Sequence, residues 1–201
     1  MKKKLLAVLA AVLIIACAGC SQISDEHDHN HEEPTTAQPI KTYTITGKTD
    51  GNKYTNKFAD LTFVKPDKWV FLKDDALAAL GGNSSTAVCD MAAVEGTTDT
   101  SVTLVFTNSI TISGDRLTAK QFCETNIKAT VSEGDMSTVT AESEVTLGGN
   151  KYIKLVINTS DINHPMSITH YVRAIDYYIV DIVATTPVAK VSDTNFEAMF
   201  S

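Results

Sequence analysis

The stretch MSITHYVRAIDYYIVDIVATTP, residues Met166–Pro187, decides the fold. Two runs rich in β-branched and aromatic residues flank Asp176, a residue type that is common in tight turns. They predict strands at Met166–Ala174 and Tyr177–Val183, joined as an antiparallel hairpin. Pro187 begins a final segment, in which SDTNFEAMF predicts a C-terminal helix.

Upstream of this hairpin, further strand signals follow one another along the chain. LGGNKY is a turn between strands predicted at Ser137–Leu147 and Tyr152–Asn158. The remaining strand-like runs are Thr42–Thr46, Tyr54–Phe58, Leu61–Val64, Trp69–Phe71, Thr86–Val94 and Ser101–Asn108. Some of them are apolar at successive positions, which indicates a sheet that is covered on both faces.

Helical signals separate the groups of strands. KDDALAALGG predicts a short helix with Asp74 as its N-cap and Gly81 at its end. LTAKQFCETNIKATVS predicts a second helix. The residues that share its inward face are Ala119, Phe122, Cys123, Ile127 and Thr130. With the C-terminal helix this gives about three helices, and the fold class predicted is α+β, with helices packed on a central antiparallel sheet.

The N-terminus, MKKKLLAVLAAVLIIACAGCSQ, has three lysines, an apolar run at Leu5–Ile15 and small residues before a cysteine. This order resembles a lipoprotein signal peptide, in which cleavage precedes a cysteine that carries a diacylglycerol. We therefore expect residues 1–19 to be a signal peptide and Cys20 to be lipidated. Cys17 is the alternative: the preceding Ile14 and Ile15 suit a lipobox better, but the acylated residue would lie within the apolar run.

Residues 20–40 are polar, acidic and poor in large apolar side chains, which predicts a disordered tether. Within them, HDHNHEE places His27, His29 and His31 at alternate positions among carboxylates. Imidazole and carboxylate groups bind zinc, so weak zinc binding is one hypothesis for this tract. The favoured interpretation is a solvated spacer, because ordering a flexible tract opposes tight binding.

The charge of the chain excludes some partners. Cleavage removes Lys2, Lys3 and Lys4 from 17 basic residues, which leaves 14 against 24 acidic residues and a net charge of −10. An acidic protein lacks the cations that bind nucleic acid, and it gains nothing from anionic lipid headgroups. Membrane attachment is therefore expected through the N-terminal lipid, and the domain is expected to be a monomer.

Catalytic motifs are absent from the sequence, including G-x-S-x-G, H-E-x-x-H, the P-loop and the dinucleotide fingerprint. His164 and His170 are interpreted as surface or packing histidines. Cys89 and Cys123 are interpreted as buried thiols, although an exported protein can form disulfides. The aromatic residues Trp69, Tyr177, Tyr178 and Phe200 fit either a ligand groove or the core.

The order of these motifs resembles the PsbP-like domains. The matching segments are NKFADLTFVKPDKWVF, CDMAAV, VTLVFTN, LTAKQFCETNIK, LGGNKYIKL and HYVRAIDYYIVDIVA, followed by an aromatic C-terminus. The resemblance implies an α/β/α sandwich over residues 41–201 with no common catalytic motif. We therefore expect a non-catalytic, lipid-anchored extracytoplasmic lipoprotein that binds an unknown protein or small molecule, with a metal-handling lipoprotein as the alternative.

Overall fold

The computed structural model describes residues 42–81, 86–133, 137–159, 161 and 163–201. The strands in these residues are β1 Lys48–Asp50, β2 Lys53–Asn56, β3 Leu61–Val64, β4 Trp69–Phe71, β5 Ala87–Glu95, β6 Ser101–Asn108, β7 Ser137–Leu147, β8 Asn150–Thr159, β9 Met166–Ile175 and β10 Tyr178–Pro187. A large antiparallel sheet has the order β4-β5-β6-β10-β9-β8-β7, and a small one has the order β1-β2-β3. The predicted α+β class with a central antiparallel sheet is confirmed.

The helices of the described part lie between these strands. Helix α1 spans Asp74–Gly81 and α2 spans Ser109–Ser113. Helix α3 has three parts, with α-helical turns at Ala119–Phe122 and Ala129–Glu133 and a π-helical stretch at Cys123–Lys128 between them. The short helix α2 was not predicted. In α1, Asp74 is the first helical residue and not the N-cap, since the Leu77 N–H donates to the Lys73 carbonyl.

The large sheet is covered on both faces, as in a sandwich. On one face, called the helix face here, α1 and α3 pack on apolar residues such as Val105, Leu155 and Ile179. The other face, called the small-sheet face, is covered by the small sheet and by the C-terminal segment 188–201. No helix in the described residues has the length and apolar character to cross a membrane.

The turns of the two C-terminal hairpins are as predicted. Gly148 and Gly149 both have positive φ angles, of 54° and 80°, and they join Leu147 to its partner Asn150. Two successive positive φ angles are what a two-residue type I′ turn requires, and glycine adopts them without strain. Asp176 has a φ of 54° in the β9–β10 turn, where aspartate is tolerated better than most residues.

The predicted strand at Thr42–Thr46 is wrong. This segment alternates between exposed and half-buried residues, but it forms no ladder with a neighbouring strand. Side chains bond its backbone instead, because Asn56 donates to the Ile45 carbonyl and the Gly47 N–H donates to Asp90. The predicted strand at Tyr54–Phe58 is also too long: it ends at Asn56, whose side chain accepts from the Ala59 N–H and closes the turn.

The predicted C-terminal helix is also wrong. The segment forms two short 3₁₀-helices, Val188–Asp193 and Glu197–Met199. The buried Phe196 interrupts them, and Asn195 accepts from the Ala198 N–H, a local bond that competes with a continuous helix. Phe200 then forms a bridge with Phe63 of the small sheet, so tertiary packing determines this segment.

Candidate functional site

A cleft of about 390 Å³ opens on the small-sheet face, between strands β8–β10 and the C-terminal segment. Its lining residues come from three strands and one irregular segment. They are Lys154, Val156, Ser167, Thr169, Tyr171, Thr186, Val191, Ser192, Thr194, Asn195, Phe196 and Glu197. The volume lies at the lower end of the range of small-molecule sites.

The floor of the cleft is built from alternate residues of β9. Successive side chains of a strand point to opposite faces, so Ser167, Thr169 and Tyr171 share the cleft face. Ser167 and Thr169 are only 3% and 8% exposed as residues, neither side chain hydrogen-bonds a described residue, and their hydroxyl oxygens are not among the fully buried atoms without a partner. Their hydroxyl groups therefore offer hydrogen bonds into the cleft. Thr186 of β10 is different, because its Oγ1 lies 3.1 Å from Thr100 Oγ1.

One ion pair lies at the rim. Lys154 Nζ is 2.7 Å from Glu197 Oε1 and 5.8 Å from the centre of the Tyr171 ring. Burial, with a smaller contribution from Glu197, raises the pKa of Tyr171 above its usual range. The Tyr171 hydroxyl therefore stays neutral and can donate a hydrogen bond. Since Lys154 and Glu197 neutralise each other, the lining carries no net charge.

The wall opposite the strands is the C-terminal segment. Phe196 is buried in the core, which fixes the wall to the sheet. The first 3₁₀-helix leaves Val191 46% exposed beside the hydroxyl groups of Ser192 and Thr194. The cleft thus has a hydroxyl floor and a wall with both apolar and polar groups, an arrangement that can hold a small polar molecule.

The helix face of the same strands holds a closed polar pair. His170 and Asp181 are 0% and 1% exposed, and His170 Nδ1 lies 3.0 Å from Asp181 Oδ2. His170 Nε2 makes no hydrogen bond with the described residues. Burial first, and then the charge of Asp181, raise the pKa of the Cys123 thiol to about 12. A buried neutral thiol is a poor nucleophile.

The structure places the remaining histidines and cysteines as follows. His164 is a surface residue whose Nε2 lies 2.8 Å from Asp99, and His170 is a packing residue, so both interpretations are confirmed. Cys89 and Cys123 are both buried, as interpreted from the sequence, and no disulfide joins these two residues. Cys17, Cys20, His27, His29 and His31 lie outside the described residues. Within those residues, no group of three or more His, Cys, Asp or Glu side chains is placed to hold a metal ion.

The aromatic residues proposed for a ligand groove are not brought together. Trp69 and Phe200 are 6% and 7% exposed and belong to the core beneath the small sheet. Tyr177 and Tyr178 lie at the other end of the large sheet, where they pack with Tyr43 and Phe58. Core packing therefore explains the four residues, and they do not line one groove.

The cleft was not predicted from the sequence, although β9 carries a signal for it. In MSITHY, hydroxyl side chains occupy the two alternate positions Ser167 and Thr169 on one face of a strand that is mostly apolar. Polar side chains are uncommon in a strand that is buried on both faces, because burying a polar group without a hydrogen bond is unfavourable. The C-terminal wall could not be located in the same way, because its position depends on where Phe196 packs.

Comparisons with known proteins give no family model and no curated protein that matches this sequence. Solved structures similar to this chain include cyanobacterial PsbP from Synechocystis sp. PCC 6803, which is 12% identical with a TM-score of 0.49. That match covers 83% of this chain and 98% of the cyanobacterial one. The PsbP-like family that the sequence resembles is therefore among the similar structures.

Two further similar structures come from other bacteria. A protein of Bacteroides thetaiotaomicron VPI-5482 is 12% identical with a TM-score of 0.43, over 76% of this chain and 48% of that one. This chain thus spans about half of that protein. LpqN, described as involved in cell envelope biogenesis of Mycobacterium tuberculosis, is 9% identical with a TM-score of 0.44, over 70% of this chain and 82% of its own.

Proposed function

We propose that this protein is a non-catalytic binding lipoprotein, anchored by lipid at the extracytoplasmic face of the cell membrane, that holds a small molecule or a protein group in the cleft. The cleft is the observation that carries the binding role. The hydroxyl groups of Ser167 and Thr169 make no hydrogen bond with a described residue and line the cleft, so they are available to a bound molecule.

The anchor is supported by the N-terminal sequence. Cys20 follows an apolar run and the small residues Ala18 and Gly19, the pattern of a lipidated cysteine. Two acyl chains on one cysteine hold a protein durably at a bilayer, since each buried methylene contributes about 0.8 kcal/mol. The net negative charge makes nucleic acid an unsuitable partner, and the domain is proposed to act as a monomer.

Lipid labelling tests the anchor. Cells that express the full chain are grown with radioactive palmitate, and the label should appear on the wild-type protein and on Cys17→Ser but not on Cys20→Ser. Label that depends on Cys17 instead would move the acylation site, and label on neither residue would refute the anchor.

Native mass spectrometry tests the binding role. The full-length protein is released from membranes in mild detergent, and a bound mass is sought on wild type and on Ser167→Trp, which fills the cleft. Thr138→Trp, on an exposed position of β7, is the matched control. A mass lost only in Ser167→Trp supports binding. A purified protein that turns over a substrate and carries no bound mass would overturn the proposal.

A metal-handling lipoprotein is the second candidate, and the HDHNHEE tract is the observation that favours it. Calorimetric titration of zinc into the full chain should then show binding that disappears when His27, His29 and His31 are all changed to Asn. This change keeps length and polarity while removing the imidazoles. Affinity weaker than about micromolar, unchanged by the substitutions, would end this candidate.

A further inference from the structure

The charge of the cleft limits the ligands that it can bind. Lys154 is its one cationic lining residue among the described residues, and Glu197 already neutralises it at 2.7 Å. An anion would meet an acidic protein and no unpaired cation, and a cation would have to displace Lys154 from Glu197. An uncharged ligand is not repelled by the acidic protein and leaves the Lys154–Glu197 ion pair intact.

The hydrogen-bonding groups indicate what an uncharged ligand must offer. The hydroxyl groups of Ser167 and Thr169 can donate and accept, whereas those of Ser192 and Thr194 already donate to Asp193 and to the Lys190 carbonyl and can only accept, so the lining suits a ligand that can also do both. Among them, Ser167 and Thr169 are the deepest, and their bonds would be the most shielded from water.

The lining also has apolar side chains and rings on both sides of the cleft, from Val156, Tyr171, Val191 and Phe196. Val156 comes from the floor and the exposed Val191 comes from the wall, and both can cover the C–H face of a ring. A ligand with one apolar face and a rim of hydroxyl groups fits this combination. A fatty acyl chain fits less well, because it would cover the hydroxyl groups of Ser167 and Thr169 without offering them a hydrogen bond.

We propose that the cleft binds an uncharged, hydroxyl-rich small molecule of the size of a monosaccharide or disaccharide. Ser167 and Thr169 hydrogen-bond the hydroxyl groups of the ligand, and Val191 covers its C–H face. This inference rests on the proposed binding function and adds the chemical class of the ligand. The same chemistry could come from a free sugar or from an uncharged terminal residue of a surface glycan.

The test uses the ¹⁵N-labelled full-length protein in detergent micelles and follows backbone amide signals by NMR. A panel of neutral sugars is added at tens of millimolar, comprising glucose, galactose, N-acetylglucosamine, maltose and lactose. Glucuronate and glucosamine serve as charged counterparts of similar size. Chitotriose immobilised on beads represents the glycan source, and retention of the protein there with no response to free sugars would assign the ligand to a glycan end.

The expected result is a set of shifts confined to the amides of residues 167–171 and 191–197, larger for a neutral sugar than for both charged counterparts. Thr169→Val should weaken this binding about fivefold, the effect of one lost hydrogen bond. Thr138→Val, the same substitution on an exposed position of β7, should leave it unchanged. Thermal unfolding by circular dichroism verifies that both variants are folded.

Two outcomes would overturn the inference. One is tighter binding of glucuronate or glucosamine than of every neutral sugar. The other is the absence of confined shifts with all sugars together with no retention on chitotriose. If either occurs while a bound mass is still lost in Ser167→Trp, the ligand class is wrong and the binding function stands. If the bound mass is also absent, both fail.

Discussion

On one face of β9, the ring of His170 is fully buried and its Nδ1 lies 3.0 Å from Asp181, whereas on the other face Ser167 and Thr169 turn their hydroxyl groups towards the cleft. The two sets alternate along one strand. On the helix face Asp181 pairs with His170 Nδ1, whereas on the cleft face Ser167 and Thr169 have no hydrogen-bond partner among the described residues. The contrast indicates that the His170–Asp181 pair on the helix face serves stability, and that Ser167 and Thr169 on the cleft face are available for a ligand.

The largest expected effect on stability comes from the polar pair on the helix face. Asp181→Ala leaves His170 buried without its partner and should lower the free energy of unfolding by about 3 kcal/mol. Asp99→Ala removes the half-buried carboxylate beside the exposed His164 and should cost less than about 1 kcal/mol. Urea unfolding followed by tryptophan fluorescence measures both. Equal losses would show that the two faces do not differ.

A smaller effect is expected where the small-sheet face is closed. A Cβ added to Gly47 would lie 2.5 Å from the ring of Tyr54, which is buried. Gly47→Ala should therefore destabilise the domain by about 2 kcal/mol, as overpacking does. Gly96→Ala, at a position with open space around it, is the matched control in the same urea experiment. If Gly47→Ala leaves the free energy of unfolding unchanged, the ring of Tyr54 can move to make room for the added methyl group.

The pH dependence of stability tests the helix face in a second way. The pKa of Cys123 rises from 9.0 to about 12 on folding, so the folded state holds the proton more tightly. The stabilisation is fully present below pH 9 and is lost as the pH rises towards 12. Above pH 9, the free energy of unfolding should therefore fall more steeply with pH for the wild type than for Cys123→Ala. Parallel curves would contradict the burial of the thiol.

The smallest effect is expected in the cleft. Thr169→Val removes a hydroxyl group that has no partner among the described residues, and it keeps the shape of the side chain. Stability should change by less than about 0.5 kcal/mol in either direction. A loss above about 1 kcal/mol would assign Thr169 a structural role and would remove the contrast between the two faces.

Most of the large sheet could be predicted from the sequence because its signals are local. β6 and β7 have the predicted bounds, and the glycine pair and Asp176 place both turns. The wrong predictions lie where tertiary contacts determine the backbone conformation. Thr42–Gly47 has the alternation of a strand, but Asn56 and Asp90 bond its backbone, and no pattern in TYTITG reveals partners so far along the chain.

The cleft was less predictable than the sheet. Periodicity assigns Ser167 and Thr169 to one face, but it does not reveal that the face remains open there. That depends on the C-terminal segment, where a predicted helix is replaced by two short 3₁₀-helices held by Phe196. A binding site between a strand and an irregular segment therefore needs three-dimensional information.

The contacts of the first described residues have a mechanical consequence. A pull on the chain at Thr42 reaches the domain through the Tyr43 hydroxyl, 2.7 Å from Asp176, and through the Gly47 N–H, 2.7 Å from Asp90. These bonds attach the segment to the β9–β10 turn and to strand β5. A pulling force therefore does not separate a pair of strands from one end. A force applied through the preceding residues would act at Asp176 and Asp90, which do not line the cleft. The cleft would therefore keep its shape under such a force.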